Sequence, residues 1–293
     1  MPSFPAHPGE WPAWNWSFKG IQMGADGAPV VMSILNVTPD SFSDGGECQT
    51  VADAVTAALR QRDEGATIID IGGESTRPGA KSVDAEEESR RVVPVIEALS
   101  LEKGLLLSVD TRKALVARRA LEAGAQIVND VTGLGDPEMA GVVSRAGAGL
   151  VLMHIQGEPG TMQDNPCYRD VCSEVADHLA SRLAQARAAG IPDEAIALDP
   201  GIGFGKTYRH NLSLLGPGGL DGLLRLGRPI LLGVSRKSYL KTMLGRAVEE
   251  RLAGTLATMS VALARRSAHI LRVHDVAPAV DLVKVWRALD TAA

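Results

Sequence analysis

At 293 residues the chain can hold one large α/β barrel or two ordinary domains, and its 45% hydrophobic and 22% charged residues match an ordinary globular composition. A net charge of −5 with no strongly basic block argues against nucleic acid as a partner. No apolar run reaches the ~20 residues of a membrane helix, and residues 1–9 lack a signal-peptide layout. The three cysteines, Cys48, Cys167 and Cys172, lack metal-ligand spacing, so a cytoplasmic chain with reduced thiols and no membrane contact is expected.

Trp11, Trp14 and Trp16 crowd the N-terminus. A short strand or hairpin plugging one end of the fold accounts for them; a partner-binding arm is the alternative. Residues 1–20 are read as this arm and 21–293 as one domain. From there a single unit recurs: a short apolar run ending in polar or small residues, then a helical stretch. The runs are 30–36, 67–72, 105–110, 126–129, 150–154, 196–199, 230–234 and 269–274, spaced by roughly 34 residues, the size of a βα unit. Near-continuous apolar strands suggest a parallel sheet covered on both faces. Between them, Val51, Ala54, Val55, Ala58 and Leu59 follow the helical period up to Gly65. Asp84 and Glu87 suggest a capping box, residues 173–189 a helix stopped by Gly190, and 278–289 a closing helix. Eight such units without a linker point to a closed (β/α)8 TIM barrel in one domain, with a doubly wound open sheet as the runner-up.

In such a barrel the active site lies at the C-terminal strand ends, and there the polar residues collect. Strand periodicity puts Ser108 with Asp110 on one face, Arg272 with His274 on another, and Gly233, Ser235 and Lys237 together if extension persists. Singly, Asp110 could cap a helix, Lys237 could be solvated and Arg272 could pair with Asp275. Together, Asp110, Asn129, Asp199, Lys237, Arg272 and His274 suit a flat heterocycle rich in donors and acceptors, with Arg and His beside Asn36 suiting an anion such as phosphate. Residues 39–46 and 75–79 form loops able to close over a substrate. The Gly201-Ile202-Gly203-Phe204-Gly205-Lys206 run follows Asp199-Pro200 and opens no clear helix, so it is a weak dinucleotide signal and better suits close backbone approach to a ligand. His154 and His210 lack a ligand trio for zinc.

Ile34-Leu35-Asn36-Val37-Thr38-Pro39-Asp40-Ser41-Phe42-Ser43-Asp44-Gly45-Gly46 resembles the first signature of the dihydropteroate synthases, and Asp70-Ile71-Gly72-Gly73-Glu74-Ser75-Thr76-Arg77-Pro78-Gly79 the second. Ser108-Val109-Asp110-Thr111, Asn129-Asp130, Met153-His154-Ile155-Gln156-Gly157, Asp199-Pro200-Gly201, Ser235-Arg236-Lys237 and Arg272-Val273-His274-Asp275 continue the match in order, over roughly residues 20 to 290. The resemblance implies condensation of 6-hydroxymethyl-7,8-dihydropterin pyrophosphate with p-aminobenzoate, giving 7,8-dihydropteroate and pyrophosphate in folate biosynthesis. It implies Asp110, Asn129, Met153, Asp199 and Lys237 as pterin-binding residues. Asn36, Thr76, Arg77, Arg272 and His274 would hold the pyrophosphate, and Asn36 the accompanying Mg²⁺. Phe42, Thr76, Pro78, Phe204 and Ser235 would form the p-aminobenzoate pocket. Arg77, Lys237, Arg272 and His274 would stand at the reacting atoms. It also implies a homodimer and sensitivity to sulfonamides. Ser33 stands where the family usually has Gly. Two rivals are a pterin-dependent methyltransferase, which needs no pyrophosphate site, and a non-catalytic pterin-binding paralogue, which would lack a site residue.

Overall fold

The structure, a computed structural model, describes residues 14–38, 50–75 and 82–290. Phe42 in the first long loop, and Thr76, Arg77 and Pro78 in the second, lie outside the described residues. A hairpin of β1 (Trp16–Phe18) and β2 (Ile21–Met23) precedes the barrel. Its two-residue turn puts Lys19 at φ 49° and Gly20 at φ 74°, the left-handed pair that matches strand twist. The barrel strands are β3 (Val30–Asn36), β4 (Ile68–Gly72), β5 (Leu106–Asp110), β6 (Ile127–Asp130), β7 (Gly149–Met153), β8 (Ile196–Asp199), β9 (Leu231–Leu232) and β10 (Ile270–Val273). All pair in parallel in the order β8-β7-β6-β5-β4-β3-β10-β9, and a parallel bridge between Leu198 and Ile230 joins the ends. The sheet is therefore closed, and the doubly wound alternative falls.

Each strand leads into helix: α1 (Val51–Asp63), α2 (Ala85–Ser100), α3 (Ala114–Glu122), α4 (Met139–Ala146), α5 (Val171–Ala188), α6 (Tyr208–Leu215), α7 (Asp221–Leu224), α8 (Ser238–Leu244), α9 (Leu252–Ala264) and α10 (Val276–Asp290). Every residue of β4, β6, β7 and β8 is buried, as strands covered on both faces must be. A reciprocal capping box opens α1, between Thr50 and Asp53. At α2 only half of one forms. Asp84 accepts from the Glu87 amide at 2.7 Å, while the Glu87 carboxylate turns to Arg90 and Arg91. Asp110 caps nothing: the first amide of α3, Ala114, donates to Asp136 across the neighbouring loop.

The hairpin plugs the N-terminal end of the barrel. Trp16, fully buried, donates Nε1 to the carbonyl of Ala195 just before β8, at 2.9 Å. Phe18 packs so closely on Gly149, the first residue of β7, that a Cβ there would lie 2.7 Å from its ring. Trp14 meets His269, next to β10, edge to face. The hairpin straddles residue 20, so the Trp-rich segment from Trp14 packs as part of the barrel. Ser33 is wholly buried, and its hydroxyl reaches the Ile68 carbonyl of the adjacent strand, which accommodates it in β3.

Candidate active site

Register brings the strand-end polar groups together. Asn36 pairs with Gly72, Gly72 with Asp110, and Asp110 with Asn129, so all four share one level at the C-terminal mouth. Gly72 is a gap between side chains: a Cβ there would lie 3.5 Å from that of Asp110 and 3.8 Å from the Asn36 amide oxygen. The mouth opens as a cleft lined by Asp110, Asn129, Val131, Met153, Asp199, Gly201, Ile202, Phe204, Gly233, Lys237 and Arg272. All five residues expected to bind pterin line it, with Phe204 and Arg272.

Arg272 lies between two carboxylates. Its Nε donates to Asp70 at 2.6 Å and its Nη2 to Asp110 at 2.7 Å. It does not pair with Asp275, which holds Arg236 instead. Burial works against the Arg272 charge, yet Asp70 and Asp110 outweigh it and raise its pKa. Asp110 is pushed up by burial, with Arg272 opposing. Burial also raises Asp199, while its bond from the Gly201 amide at 2.7 Å and the charge of Lys237 oppose. Lys237 is lowered to about 8 by burial and by Arg272, and its ammonium stands 3.9 Å from the centre of the Phe204 ring, a cation–π contact. The cleft thus gathers two carboxylates, an amide oxygen, one soft ammonium and one flat aromatic face.

Lys237 does not arrive by strand alternation. β9 ends after two residues, and Arg236 has φ 56°, so the Ser235-Arg236-Lys237 segment turns sharply. The turn places Ser235 beside His274, away from the pterin group of residues. The His274 amide donates to Ser235 Oγ at 3.2 Å, and the hydroxyl lies 3.0 Å from His274 Nδ1. A hydroxyl already accepting from that amide is suited to donate to Nδ1, which leaves Nε2 as the imidazole N–H. Burial, Arg272 and Arg236 hold the His274 pKa down at about 3. His274 is therefore neutral here and offers Nε2–H as a hydrogen-bond donor.

The glycine-rich loop after β8 does not present Lys206 to a phosphate. Lys206 is buried and donates to the carbonyls of Gly201, Phe204 and His154, with His154 Nδ1 at 2.8 Å. His154, held near pKa 2 by burial and Lys206, is the neutral acceptor. Gly201, at φ 65°, passes so near the His154 carbonyl that a Cβ would sit 1.9 Å from it. The loop thus approaches the cleft closely and carries Phe204 to it. Among the described residues no three His, Cys, Asp or Glu side chains group as a metal site. At the entry to the second long loop, Glu74 accepts from Lys113 at 2.6 Å and from Arg112, and Lys113 also pairs with the buried Glu88.

Asp70 escapes a search restricted to strand ends, because it sits mid-strand. The available signal is one charged residue inside Ile68-Ile69-Asp70-Ile71, two positions before Gly72 and hence on its face. Lys206 hides behind its weak glycine motif.

A family model described as pterin binding enzyme matches residues 32–274. The chain is 46% identical over 260 residues to the dihydropteroate synthase of Escherichia coli K12, covering 89% of this chain and 91% of that one. It is 42% identical over 264 residues to that of Haemophilus influenzae, covering 90% and 95%. Among solved structures, Yersinia pestis dihydropteroate synthase with a sulfonamide drug complex aligns at TM-score 0.89 and 40% identity, covering 95% of this chain and 100% of that chain. Xanthomonas albilineans dihydropteroate synthase with 4-aminobenzoic acid aligns at 0.87 and 46% identity, covering 96% and 100%. The same enzyme with 7,8-dihydropteroate aligns at 0.81 and 44%, covering 91% and 95%.

Proposed function

The chain belongs to the pterin-binding enzyme family, among the dihydropteroate synthases, and from that premise we propose that it joins 6-hydroxymethyl-7,8-dihydropterin pyrophosphate to p-aminobenzoate, releasing pyrophosphate. One observation carries the reading: Asp110, Asn129 and Asp199 from three strand ends, and Lys237 from the turn after β9, meet in one cleft. Carboxylates and an amide oxygen accept from the pterin N–H groups, and Lys237 donates to its ring oxygen or nitrogen. Met153 and Phe204 supply apolar walls.

The reaction is a substitution at the exocyclic methylene of the pterin. The C–O bond to pyrophosphate breaks, the arylamine nitrogen forms the new C–N bond, and the amine's proton leaves to solvent. No protein nucleophile is needed. The site's work is positioning and electrostatics. Asp110 and Asp199 favour positive charge on the pterin as pyrophosphate departs. Arg272, its Nε–Nη2 edge occupied, keeps a second edge of N–H donors for an anion. His274 adds a neutral donor, and Thr76 and Arg77 belong to the same anion site by their place in the second signature. Phe42, Thr76 and Pro78, with Phe204 and Ser235, form the p-aminobenzoate pocket in this reading.

Asn36 stands exposed at the mouth with its amide oxygen beside Gly72. One neutral oxygen fits a Mg²⁺ that keeps most of its shell for water and substrate phosphate, as this ion prefers. When bound, Mg²⁺ supplies positive charge against the pyrophosphate oxygens. The retained Lys237, Arg272 and His274 weigh against a methyltransferase and against a non-catalytic paralogue. A cytoplasmic homodimer completes the reading. The relative crystallised with a sulfonamide supports competition between such drugs and p-aminobenzoate here.

Release of pyrophosphate from the two substrates tests the assignment. Mg²⁺-dependent release, stoichiometric with dihydropteroate, is expected; no release with both substrates and Mg²⁺ present sinks it.

A further inference from the structure

Asp70 is a buried carboxylate, with no surface exposure, in a strand whose other residues are isoleucine and glycine. A charge there is costly unless it is paired. Its Oδ2 serves two donors at once: Arg272 Nε at 2.6 Å and Asn129 Nδ2 at 2.8 Å. Both donors belong to residues lining the cleft, while Asp70 itself lines none of it.

Each bond has a consequence. Nε and Nη2 form one edge of the guanidinium. Because Asp70 takes Nε, Asp110 receives Arg272 through a single oxygen, Oδ2, at 2.7 Å. Without Asp70, the planar fork would turn onto Asp110 and engage both of its oxygens. The Asn129 bond fixes an amide. A carboxylate can only accept, so Nδ2 must face Asp70 and Oδ1 is left for a ligand's donor. Asp70 thereby sets two acceptors in the cleft, the second oxygen of Asp110 and the oxygen of Asn129.

We propose that Asp70 is a positioning residue that makes this cleft selective for a donor-rich heterocycle by holding Arg272 and Asn129 in these orientations. The inference rests on the pterin reading of the cleft. Its effect falls on the pterin substrate and spares p-aminobenzoate, since the two donors that Asp70 holds, Arg272 and Asn129, are not among the residues assigned to the second substrate's pocket.

Asp70→Asn is the test. The amide keeps the volume, but it offers Arg272 no charge and can donate to Asn129, so Asn129 is free to turn. The KM for the pterin pyrophosphate is expected to rise at least tenfold, with the KM for p-aminobenzoate changed less than about twofold and circular dichroism unchanged. Equal rises in both constants, or none while the unmodified chain turns over, overturn the inference and leave the pterin reading standing. No turnover and no pterin binding by the unmodified chain overturn both. If Asp70→Asn does not fold, the unmodified chain still decides. The Asn129 Nδ2 protons should exchange slowly with heavy water with and without 6-hydroxymethyl-7,8-dihydropterin bound; fast exchange in the bound state overturns the inference.

Discussion

At the scale of single residues, burial decides what each polar group can do. Asp199 lies 5% exposed and gives one oxygen to the Gly201 amide, so its remaining acceptor capacity faces the cleft. Asp199→Asn keeps the Gly201 bond and the shape but loses the charge. Charged hydrogen bonds contribute about 1.5–3 kcal/mol each, so a fall in pterin affinity of roughly a hundredfold is expected with little loss of fold. Calorimetry showing near-native affinity would contradict the role. His269 shows the same physics away from the cleft. It accepts from the Ile230 amide at 3.0 Å, and burial lowers its pKa to about 4. The unfolded chain binds this proton near pH 6.5, so the residue's contribution is complete above that value. It is lost as pH falls toward 4, by about 2 kcal/mol at pH 5. Urea unfolding of His269→Gln should therefore depend less steeply on pH between 6.5 and 4 than the unmodified chain. An unchanged slope would show that His269 is protonated in the fold.

At the scale of elements, the glycine-rich loop after β8 is a strap tied from inside. Lys206 binds three carbonyls and His154, and Gly201 and Gly205 permit the close passage that this requires. Lys206→Met strips the donor from buried acceptors, each of which costs about 1–3 kcal/mol when left unmet. We expect about 3 kcal/mol of lost stability in urea and a raised KM for p-aminobenzoate, because Phe204 rides on this loop. A variant unchanged in both measurements would remove the loop's positioning role. The same elements show what a sequence reveals. The β3 and β8 spans were legible to the residue, since apolar runs bounded by polar ends have one simple solution in a parallel barrel. β9 was not: 230–234 is as apolar as its neighbours, but only Ile230, Leu231 and Leu232 pair before the chain turns at Arg236. A left-handed non-glycine residue leaves no mark in a hydrophobicity pattern. Asp110, Asn129 and Asp199 were legible because strand ends are where a barrel keeps its chemistry. Asp70 and Lys206 were not, because their partners are up to 202 residues away and only packing reveals them.

At the scale of the whole molecule, the outer helix α9 exposes an apolar stripe. A helix in a β/α barrel needs an inner face against the strands, and in α9 that face is Thr255, Met259, Ala262 and Leu263. The opposite face, Ala253, Ala257, Val261 and Ala264, is exposed, and it repeats at intervals of four and three residues as one stripe. Val261 alone is 44% exposed, with Met243, Leu244 and Val248 exposed in the segment just before it. Small residues on a stripe allow close helix approach, and an exposed apolar band on a globular chain marks a contact surface. These features support the proposed homodimer, with α9 at its centre. A two-fold contact would set the same stripe against itself, so one charge introduced there appears twice at the interface and repels itself. Val261→Glu is therefore expected to give a monomer at micromolar concentration, with unchanged circular dichroism, while the unmodified chain sediments at twice the chain mass. Sedimentation of the unmodified chain as a monomer would reject the assembly. A Val261→Glu variant that stays dimeric would move the interface off α9, toward the exposed Val285 and Leu289 of α10.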